Sequence, residues 1–275
     1  MPNYEIPVIV TAFFLYFLAA ICYISHLVYL RPVLARLGRL AAAAGLAANI
    51  AAAVLRTLAS GQAPFANMYE FGIVMVAVTV GAYLWVDLKL GQAALGAFAL
   101  PVAFLFTGVF VLFYQDAKPL MPALKSNWLL AHVATAVIAY GALTFSFAVA
   151  LLYRWRSRLG AGGGDPALLA LLPGLPVLEE MLTRAILLAM PFLTLLIITG
   201  AVWAEYAWGS YWRWDPKETW SLITWLVYAV YLHGRAVYAW QGKTAANWAI
   251  AGFLVVVFTF IGVNILLPGL HSYAL

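Results

Sequence analysis

Cysteine and charge are both scarce in this sequence. Cys22 is the single cysteine among 275 residues, so the chain can form no internal disulfide and has no C-x-x-C pair for thiol exchange. Charged residues make up 9% of the chain, whereas a soluble domain of this length carries about a quarter. This composition excludes a protein whose surface is mostly in water, and it indicates that lipid covers most of the chain.

Long apolar segments take the place of the missing charge. Hydrophobic residues account for 66% of the chain, and the mean hydropathy is +0.96. A bilayer core of roughly 30 Å requires about 20 apolar residues per helix. The runs are continuous and lack the alternation of a membrane barrel, so the sequence predicts an all-α polytopic membrane protein with about eight transmembrane helices. The predicted spans are 6–30, 39–58, 68–88, 92–114, 128–153, 184–203, 220–240 and 247–267.

The positive residues are distributed unevenly between alternate loops. One set of loops carries ten of them and the opposite set carries four, so the net charge of +5 reflects membrane topology rather than nucleic-acid binding. By the positive-inside rule the ten-cation side is cytoplasmic, which predicts that both termini and the loop after span six are extracytoplasmic. The ten are Arg31, Arg36, Arg39, Lys89, Arg154, Arg156, Arg158, Arg184, Arg235 and Lys243, and the four are Lys118, Lys125, Arg213 and Lys217.

The connections between the predicted spans are mostly short. The longest, 154–183, contains a glycine run that no Gly-Lys-Ser/Thr follows, which argues against a phosphate-binding loop. We expect a flexible cytoplasmic linker followed by a short interfacial helix. No loop is long enough for a sizeable soluble domain, so residues 1–275 are predicted to form a single integral-membrane domain. Ser126 or Asn127 is expected to cap span five.

The four histidines lie at two depths. His26 and His233 are each within about 10 Å of the cytoplasmic boundary, whereas His132 and His271 lie near the opposite boundary. Two imidazoles at one level on different helices can ligate one haem iron, although imidazole also suits copper and zinc. Arginines beside the inner pair could bind haem propionates. Four unrelated helix-contact histidines are the alternative interpretation.

Residues 208–220, "WGSYWRWDPKETW", combine four tryptophans with several of the few charges. An interfacial aromatic belt accounts for Trp203, Trp220 and Trp225, but "WGSYWRW" is too short to span a membrane and too aromatic for a solvated turn. Large planar side chains would form a platform for a flat, apolar cofactor. The predicted platform consists of Trp208, Trp212 and Trp214, with Arg213 placed to contact a propionate or stack on a ring.

The second half of this stretch has the pattern of a helix start. Asp215 is predicted as the N-cap, Pro216 as the first helical residue and Glu218 as the capping-box partner. A catalytic acid and base formed by Asp215 and Glu218 is the less favoured alternative. Glu70, at the outer start of span three, is assigned a structural role.

These residues together resemble a known family. "WGSYWRWDPKETW" resembles the WWD signature of haem-handling membrane proteins, and its "DPKETW" continuation is similar to the CcsA (ResC) branch of cytochrome c biogenesis. The resemblance implies that His132 and His271 ligate haem iron on either side of a WWD loop at 203–220. It also implies that His26 and His233 form a second site that receives haem from the cell interior. Further similar stretches are "NMYEF" at 67–71, "SNWLLAH" at 126–132, "YLHGR" at 231–235 and "GLHSY" at 269–273.

The resemblance further implies an activity and partners. Haem b would be exported and presented to apocytochrome c, whose CxxCH thiols add to the vinyl groups as thioethers. This is a cytochrome c haem lyase or synthase activity, carried out in the plasma (inner) membrane in complex with CcsB (ResB). Because this chain has no thiol pair, an extracytoplasmic thiol reductant would be a separate protein, and no nucleic acid is involved.

Three other functions are compatible with parts of the pattern. A CcmC-like protein delivers haem to a chaperone and forms no thioether, but it typically has fewer spans. A dihaem cytochrome b usually places two ligand histidines on one helix, and no predicted span here holds two. A transporter without a cofactor is the third alternative, and it predicts a protein that purifies colourless.

Overall fold

The protein is a bundle of long helices. The structure, a computed structural model, describes residues 4–118, 125–267 and 269, and in this part of the chain it contains helices, turns and no strand. The all-α prediction is therefore confirmed. The helices are α1 (Glu5–Tyr29), α2 (Pro32–Ser60), α3 (Met68–Leu90), α4 (Gly96–Val111), α5 (Asn127–Ala161), α6 (Pro166–Leu171), α7 (Leu175–Trp208), α8 (Pro216–Val237), α9 (Gly242–Val257) and α10 (Val263–Leu266).

Seven of the predicted spans are long and apolar enough to cross a membrane in the described part of the chain. The chain is thus a membrane protein. The seventh predicted span, 220–240, coincides with α8, which is not among those seven. It interrupts its apolar residues with Lys217, Glu218, His233 and Arg235, so α8 is a helix of mixed polarity rather than a continuous apolar span.

The structure corrects part of the prediction for 154–183: the expected short helix is present as α6, but the linker before it is much shorter than predicted. Most of this segment is helical, since α5 continues to Ala161, α6 follows, and α7 already begins at Leu175. Long-range contacts account for the extension of α7. The Glu179 carboxylate pairs with Arg235 of α8 and accepts the backbone N–H of Gly242 at 3.0 Å. The segment is therefore part of the helical bundle.

The predicted WWD loop is also shorter than expected. Because α7 ends at Trp208 and α8 begins at Pro216, the non-helical part of 203–220 is 209–215. Gly209 ends α7 in a left-handed conformation with φ of 70°, and its N–H binds the Glu205 carbonyl at 2.8 Å. We call the end of the bundle that carries 209–215 the tryptophan end and the opposite end, which carries 162–174, the arginine end.

Charged contacts fasten the first helices at both ends. At the tryptophan end Arg56 of α2 is fully buried and binds Glu70 of α3 at 2.7 Å, Glu5 of α1 at 3.5 Å and the Gln115 carbonyl at 2.7 Å. This geometry fits the structural role expected for Glu70. At the arginine end the buried Asp87 of α3 accepts bonds from Arg39 of α2 at 2.8 and 3.0 Å.

Helix α5 is the central element. It packs along α7 and also contacts α3, α4 and α9. Its buried face is rich in small residues such as Ala139, Gly141 and Ala148, which let neighbouring helices approach closely. The Ser126 side chain caps it by accepting the Trp128 N–H at 3.1 Å, as predicted. The first turns of α5 therefore lie at a fixed place in the tryptophan end.

Candidate functional site

A cavity of about 140 Å³ opens at the tryptophan end between α3, α5, α7, α8 and the last helical turns. Its walls are mainly aromatic and apolar, with a few polar groups, which is the usual composition of a ligand site. The wall includes His132, Trp203, Trp212, Lys217 and Asn264.

His132 lies near the start of α5, and its ring is held by α7. Its Nδ1 is 2.9 Å from the carbonyl oxygen of Leu196. When Nδ1 donates its N–H there, the lone pair is on Nε2, which is the tautomer that ligates metals. A Cβ atom at Gly200 would lie 2.7 Å from the ring, so the close approach of α7 requires glycine. The imidazole is also stacked on Trp203 at 6.0 Å and 11°.

The tryptophans have different surroundings. Trp203 is 1% exposed and packs edge-to-face on Trp208 at 4.8 Å, which corrects its assignment to an interfacial belt. Trp212 lines the cavity. Trp214 is 68% exposed and contacts Trp212 edge-to-face at 5.6 Å. Of the three predicted platform tryptophans, Trp212 is thus in the wall, Trp208 packs behind it on Trp203, and Trp214 faces outward.

Arg213 acts on the end of α7 in this structure. Its guanidinium donates a hydrogen bond to the carbonyl of Trp208, one of the carbonyls that the last turn of a helix leaves without an intrahelical partner. The side chain is exposed. In this position the guanidinium is bound to α7, and Arg213 would have to leave this contact to bind a propionate as predicted.

The capping box predicted at the start of α8 is confirmed. The buried Asp215 accepts the Lys217 N–H at 3.0 Å, and Glu218 accepts the Asp215 N–H at 3.1 Å. Glu218 also accepts the Arg213 N–H at 2.8 Å. It therefore holds the backbone on both sides of Trp214, which has a φ of 58°, a conformation rare for a bulky residue.

Lys217 is the cavity residue that the sequence interpretation missed. Its Nζ donates to the Asn264 Oδ1 at 2.6 Å and lies 5.3 Å from the centre of the Phe260 ring. Burial lowers the pKa of Lys217 to about 7, and the nearby Asp215 carboxylate acts in the opposite direction. Lys217 is in the first turn of α8, outside the seven apolar spans. The sequence interpretation counted it only as a loop cation.

The helix that supplies Asn264 contains a π-helical turn, Phe258–Gly262, between α9 and α10. Such single π turns are rare and occur frequently at functional sites. Thr259, Phe260 and Asn264, in and after this turn, all line the cavity. The irregular turn therefore helps to place the neutral partner of Lys217.

Gly269, after α10, lies beside the loop 209–215, which we call the tryptophan loop. A Cβ atom at Gly269 would collide with the Asp215 carboxylate and lie 3.1 Å from Pro216. Gly269, two residues before His271 in sequence, thus lies against the start of α8. His271 itself is outside the described residues, and its pairing with His132 stays a prediction.

The two inner histidines have different surroundings. His26 is 3% exposed on α1, and its Nδ1 is 2.9 Å from the Arg31 carbonyl oxygen. His233 is exposed on α8 and contacts Tyr238 edge-to-face at 5.7 Å. Helix α1 packs against α2 and α4, whereas α8 packs against α7 and α9. These contacts do not bring His26 and His233 together, so their pairing stays a prediction.

Comparison with known proteins assigns the chain to a family. Residues 65–271 match the family model described as "Cytochrome C assembly protein". The chain belongs to this cytochrome c assembly family. It is 37% identical to the CcsA protein of Porphyra purpurea, over 93% of this chain and 92% of that one. It is 35% identical to CcsA of Gloeobacter violaceus, over 88% and 87% of the two chains.

A solved structure shows the same fold. The cytochrome c haem lyase CcmF matches with a TM-score of 0.68 at 18% sequence identity, over 94% of this chain. This chain spans about half of that one, 46% of its length. The family comparison confirms the resemblance found in the motifs, and the chain is a membrane protein of cytochrome c biogenesis.

Proposed function

We propose that this protein carries haem b across the membrane and presents it to apocytochrome c at the tryptophan end, on the extracytoplasmic side. One observation carries the proposal: the oriented imidazole of His132 lines an aromatic cavity together with Trp212 of the tryptophan loop. Membership of the cytochrome c assembly family supports haem as the ligand.

The donor set suits haem rather than a bare metal ion. Among the residues that the structure describes, no group of three or more His, Cys, Asp or Glu side chains is placed to hold a metal. A porphyrin brings four nitrogen ligands, so the protein needs to supply two. In the proposal His132 and His271 supply them, and the aromatic walls take the faces of the ring.

The proposed reaction is a thiol addition without net oxidation. The S–H of an apocytochrome cysteine adds across a haem vinyl group, so that a carbon–sulfur bond forms and the proton goes to the other vinyl carbon. The protein holds the iron and orients the vinyl edge, and the rate gain comes from proximity and orientation. This chain has one cysteine, the buried Cys22, so a separate thiol reductant keeps the substrate thiols reduced.

The inner histidines belong to the arrival of haem in this proposal. His26 has its Nδ1 bound to a backbone carbonyl, the same arrangement as His132, which favours Nε2 as the ligand atom. His233 lies at the same arginine end on α8. CcsB (ResB) is proposed as the membrane partner, because the connections of this chain in its described part are too short to form an extracytoplasmic domain.

The test is haem spectroscopy of the protein purified with its partner. We expect a red wild-type protein. His132→Ala and His271→Ala should abolish covalent attachment to a reporter cytochrome while haem still reaches the inner site, and His26→Ala and His233→Ala should lower total haem. Tyr206→Phe, an exposed residue, serves as the control. Wild-type haem content and attachment in all four histidine variants would refute the proposal.

The same assay distinguishes haem attachment from a CcmC-like delivery function. It predicts haem loading of a chaperone and no thioether in the reporter cytochrome. Covalent haem in the reporter that depends on His132 supports attachment instead.

A further inference from the structure

We propose that Lys217 and Asn264 form a carboxylate-binding site inside the cavity, and that this site takes a propionate of the porphyrin ligated by His132. The inference deepens the proposed function and rests on it. It assigns an orientation to the bound porphyrin and replaces Arg213 by Lys217 as the cation that sets this orientation.

The Lys217 amine contacts a neutral amide and an aromatic ring in the cavity wall. It donates to the neutral amide oxygen of Asn264 at 2.6 Å and faces the Phe260 ring at 5.3 Å. No ion pair involves Lys217 within the part of the chain that the structure describes. The two carboxylates nearest in sequence, Asp215 and Glu218, bind backbone N–H groups of the capping box. Asp215 accepts that of Lys217, and Glu218 accepts those of Arg213 and Asp215.

The charged form of the Lys217 amine is unfavourable in the empty cavity and favourable when an anion is bound beside it. Burial disfavours the charged amine, which is why the pKa of Lys217 falls to about 7. A carboxylate that enters the cavity favours the charged form, so binding is coupled to proton uptake by the amine. A perturbed amine in a cavity of this kind is typical of a functional site.

The cavity also indicates which kind of carboxylate binds. Trp212 of the loop 209–215, Phe71 of α3 and Tyr140 of α5 line the same space as His132 and Lys217. A ligand that satisfies all of them has a flat apolar body, a metal centre for imidazole and an anionic group at one edge. Haem b has this combination, and its vinyl groups lie on the edges away from the propionates. Anchoring a propionate at Lys217 would therefore direct a vinyl edge outward.

Arg213 is the alternative anchor, and the structure gives it another task. Its guanidinium is exposed and donates to the Trp208 carbonyl at the end of α7. A propionate bound there would first have to displace this contact. Lys217 needs no such rearrangement, because its amine already lines the cavity.

The experiment compares haem b with its dimethyl ester, which keeps the ring and the iron but has no carboxylate. Binding of each to the purified full-length chain is titrated by Soret absorbance in a His26→Ala, His233→Ala background, which removes the proposed inner site. In this background Lys217 is kept, changed to Met or changed to Arg, and His132→Ala is measured beside them. We expect Lys217→Met to weaken haem b by about 10–100-fold, as for loss of a charge-assisted hydrogen bond, and to leave the ester unchanged. Lys217→Arg should retain the preference for haem b. Lys118→Met, an exposed cation at the same end, is the matched control.

A pH series gives a second readout. The preference for haem b over the ester should be greatest where the amine is protonated and the propionate is ionised, just below pH 7. It should fall as the pH rises above about 7, because the amine of the ligand-free protein loses its proton there. Asp215, Glu218 and His132 are the other titratable groups beside the cavity, and Lys217→Met retains all three, so the comparison with this variant isolates the contribution of the amine. Lys217→Met should show no such pH dependence of the ratio.

The outcomes separate the inference from the function on which it rests. If Lys217→Met weakens haem b and the ester equally, or weakens neither, the carboxylate site is wrong. If His132→Ala leaves the binding of both ligands intact, the proposed haem site itself is wrong. Ester binding by Lys217→Met at the level of the chain that keeps Lys217 also shows that the variant is folded.

Discussion

At the scale of single residues, the orientation of His132 depends on two residues of a different helix. The carbonyl of Leu196 sets the direction of the Nδ1–H bond, and Gly200 gives the ring the space it occupies. Both are on α7, about one helical turn apart. A ligand histidine needs this kind of support, because a ring that rotates freely places its lone pair on the iron only part of the time.

Gly200→Ala is expected to disturb the haem site without touching a ligand. The added methyl group would lie 2.7 Å from the imidazole Cε1 and force the ring away from Leu196. Loss of such support lowers metal affinity by about 10–100-fold. Haem titration of the variant measures the effect. Gly81→Ala is the matched control, since its new methyl group would have its nearest neighbour at 4.0 Å. Equal haem affinity in the two variants would contradict the assigned role of Gly200.

Glu218 is expected to hold the tryptophan loop rather than to catalyse. Glu218→Ala removes the acceptor for the backbone N–H groups of Arg213 and Asp215 and should lower the free energy of unfolding by about 1 kcal/mol. Glu218→Gln keeps a carbonyl oxygen and should recover most of the stability and of the haem attachment. Unfolding in mixed detergent micelles and the reporter assay provide the two measurements. A Gln variant that is stable but inactive would indicate acid–base chemistry instead.

The difference between Asp215 and Lys217 shows how far residue roles can be predicted from sequence. The cap is local: Asp215, Pro216 and Glu218 form a pattern within four positions, and the structure confirms it. The position of the Lys217 amine depends on Asn264, 47 residues further along the chain. No local pattern contains that information. The same holds for Trp203, whose burial against His132 is a contact between α5 and α7.

At the scale of elements, helices that depend on local sequence are predicted well, whereas helix ends that depend on long-range contacts are not. The long apolar runs predict the helices correctly, because each run must satisfy its backbone hydrogen bonds within lipid. For segment 154–183 the short helix is predicted correctly, as α6, but the extensions of α5 to Ala161 and of α7 back to Leu175 are not. The first turns of α7 are stabilised by two long-range contacts of Glu179. Its carboxylate pairs with Arg235 and accepts the Gly242 N–H.

Arg56 is expected to be the most sensitive charge among the described elements. Arg56→Met leaves Glu70 and Glu5 buried without their cation, where removing one partner of a buried pair costs about 3–5 kcal/mol. Arg184→Met removes an exposed pair with Glu180 and should cost less than about 1 kcal/mol. Unfolding of both variants in mixed micelles, with haem content recorded beside it, tests the ranking. Similar losses in the two variants would show that the Arg56 cluster does not join α1, α2 and α3 as described.

At the scale of the whole molecule, the fold class follows from composition, whereas the site depends on assembly. A chain with 9% charge and 66% hydrophobic residues has few architectures besides a helical membrane bundle. The depth of His132 near one boundary is likewise readable from its span. The meeting of α5, α7, α8 and the π-helical turn around one cavity cannot be predicted in this way. The arrangement of helices in a bundle is set by side-chain fit between surfaces far apart in sequence.

The orientation of the molecule in the membrane is a further prediction of the loop charges. The loops with ten cations coincide with the arginine end, so the positive-inside rule places the tryptophan end outside. Cysteine labelling tests this in a Cys22→Ala background, because Cys22 is the single cysteine. A membrane-impermeant maleimide should label Asp116→Cys, exposed at the tryptophan end, in intact cells. It should label Ala161→Cys, exposed at the arginine end, only after permeabilisation.

The labelling result bears directly on the chemistry. In the proposed function apocytochrome thiols meet haem on the extracytoplasmic side, so the cavity at His132 can serve that function only if it opens on that side. Labelling of Ala161→Cys in intact cells, with Asp116→Cys protected, would reverse the orientation and turn the tryptophan loop toward the cytoplasm. The inner and outer roles of the histidines would then exchange, and His26 and His233 would lie on the side where the cytochrome matures.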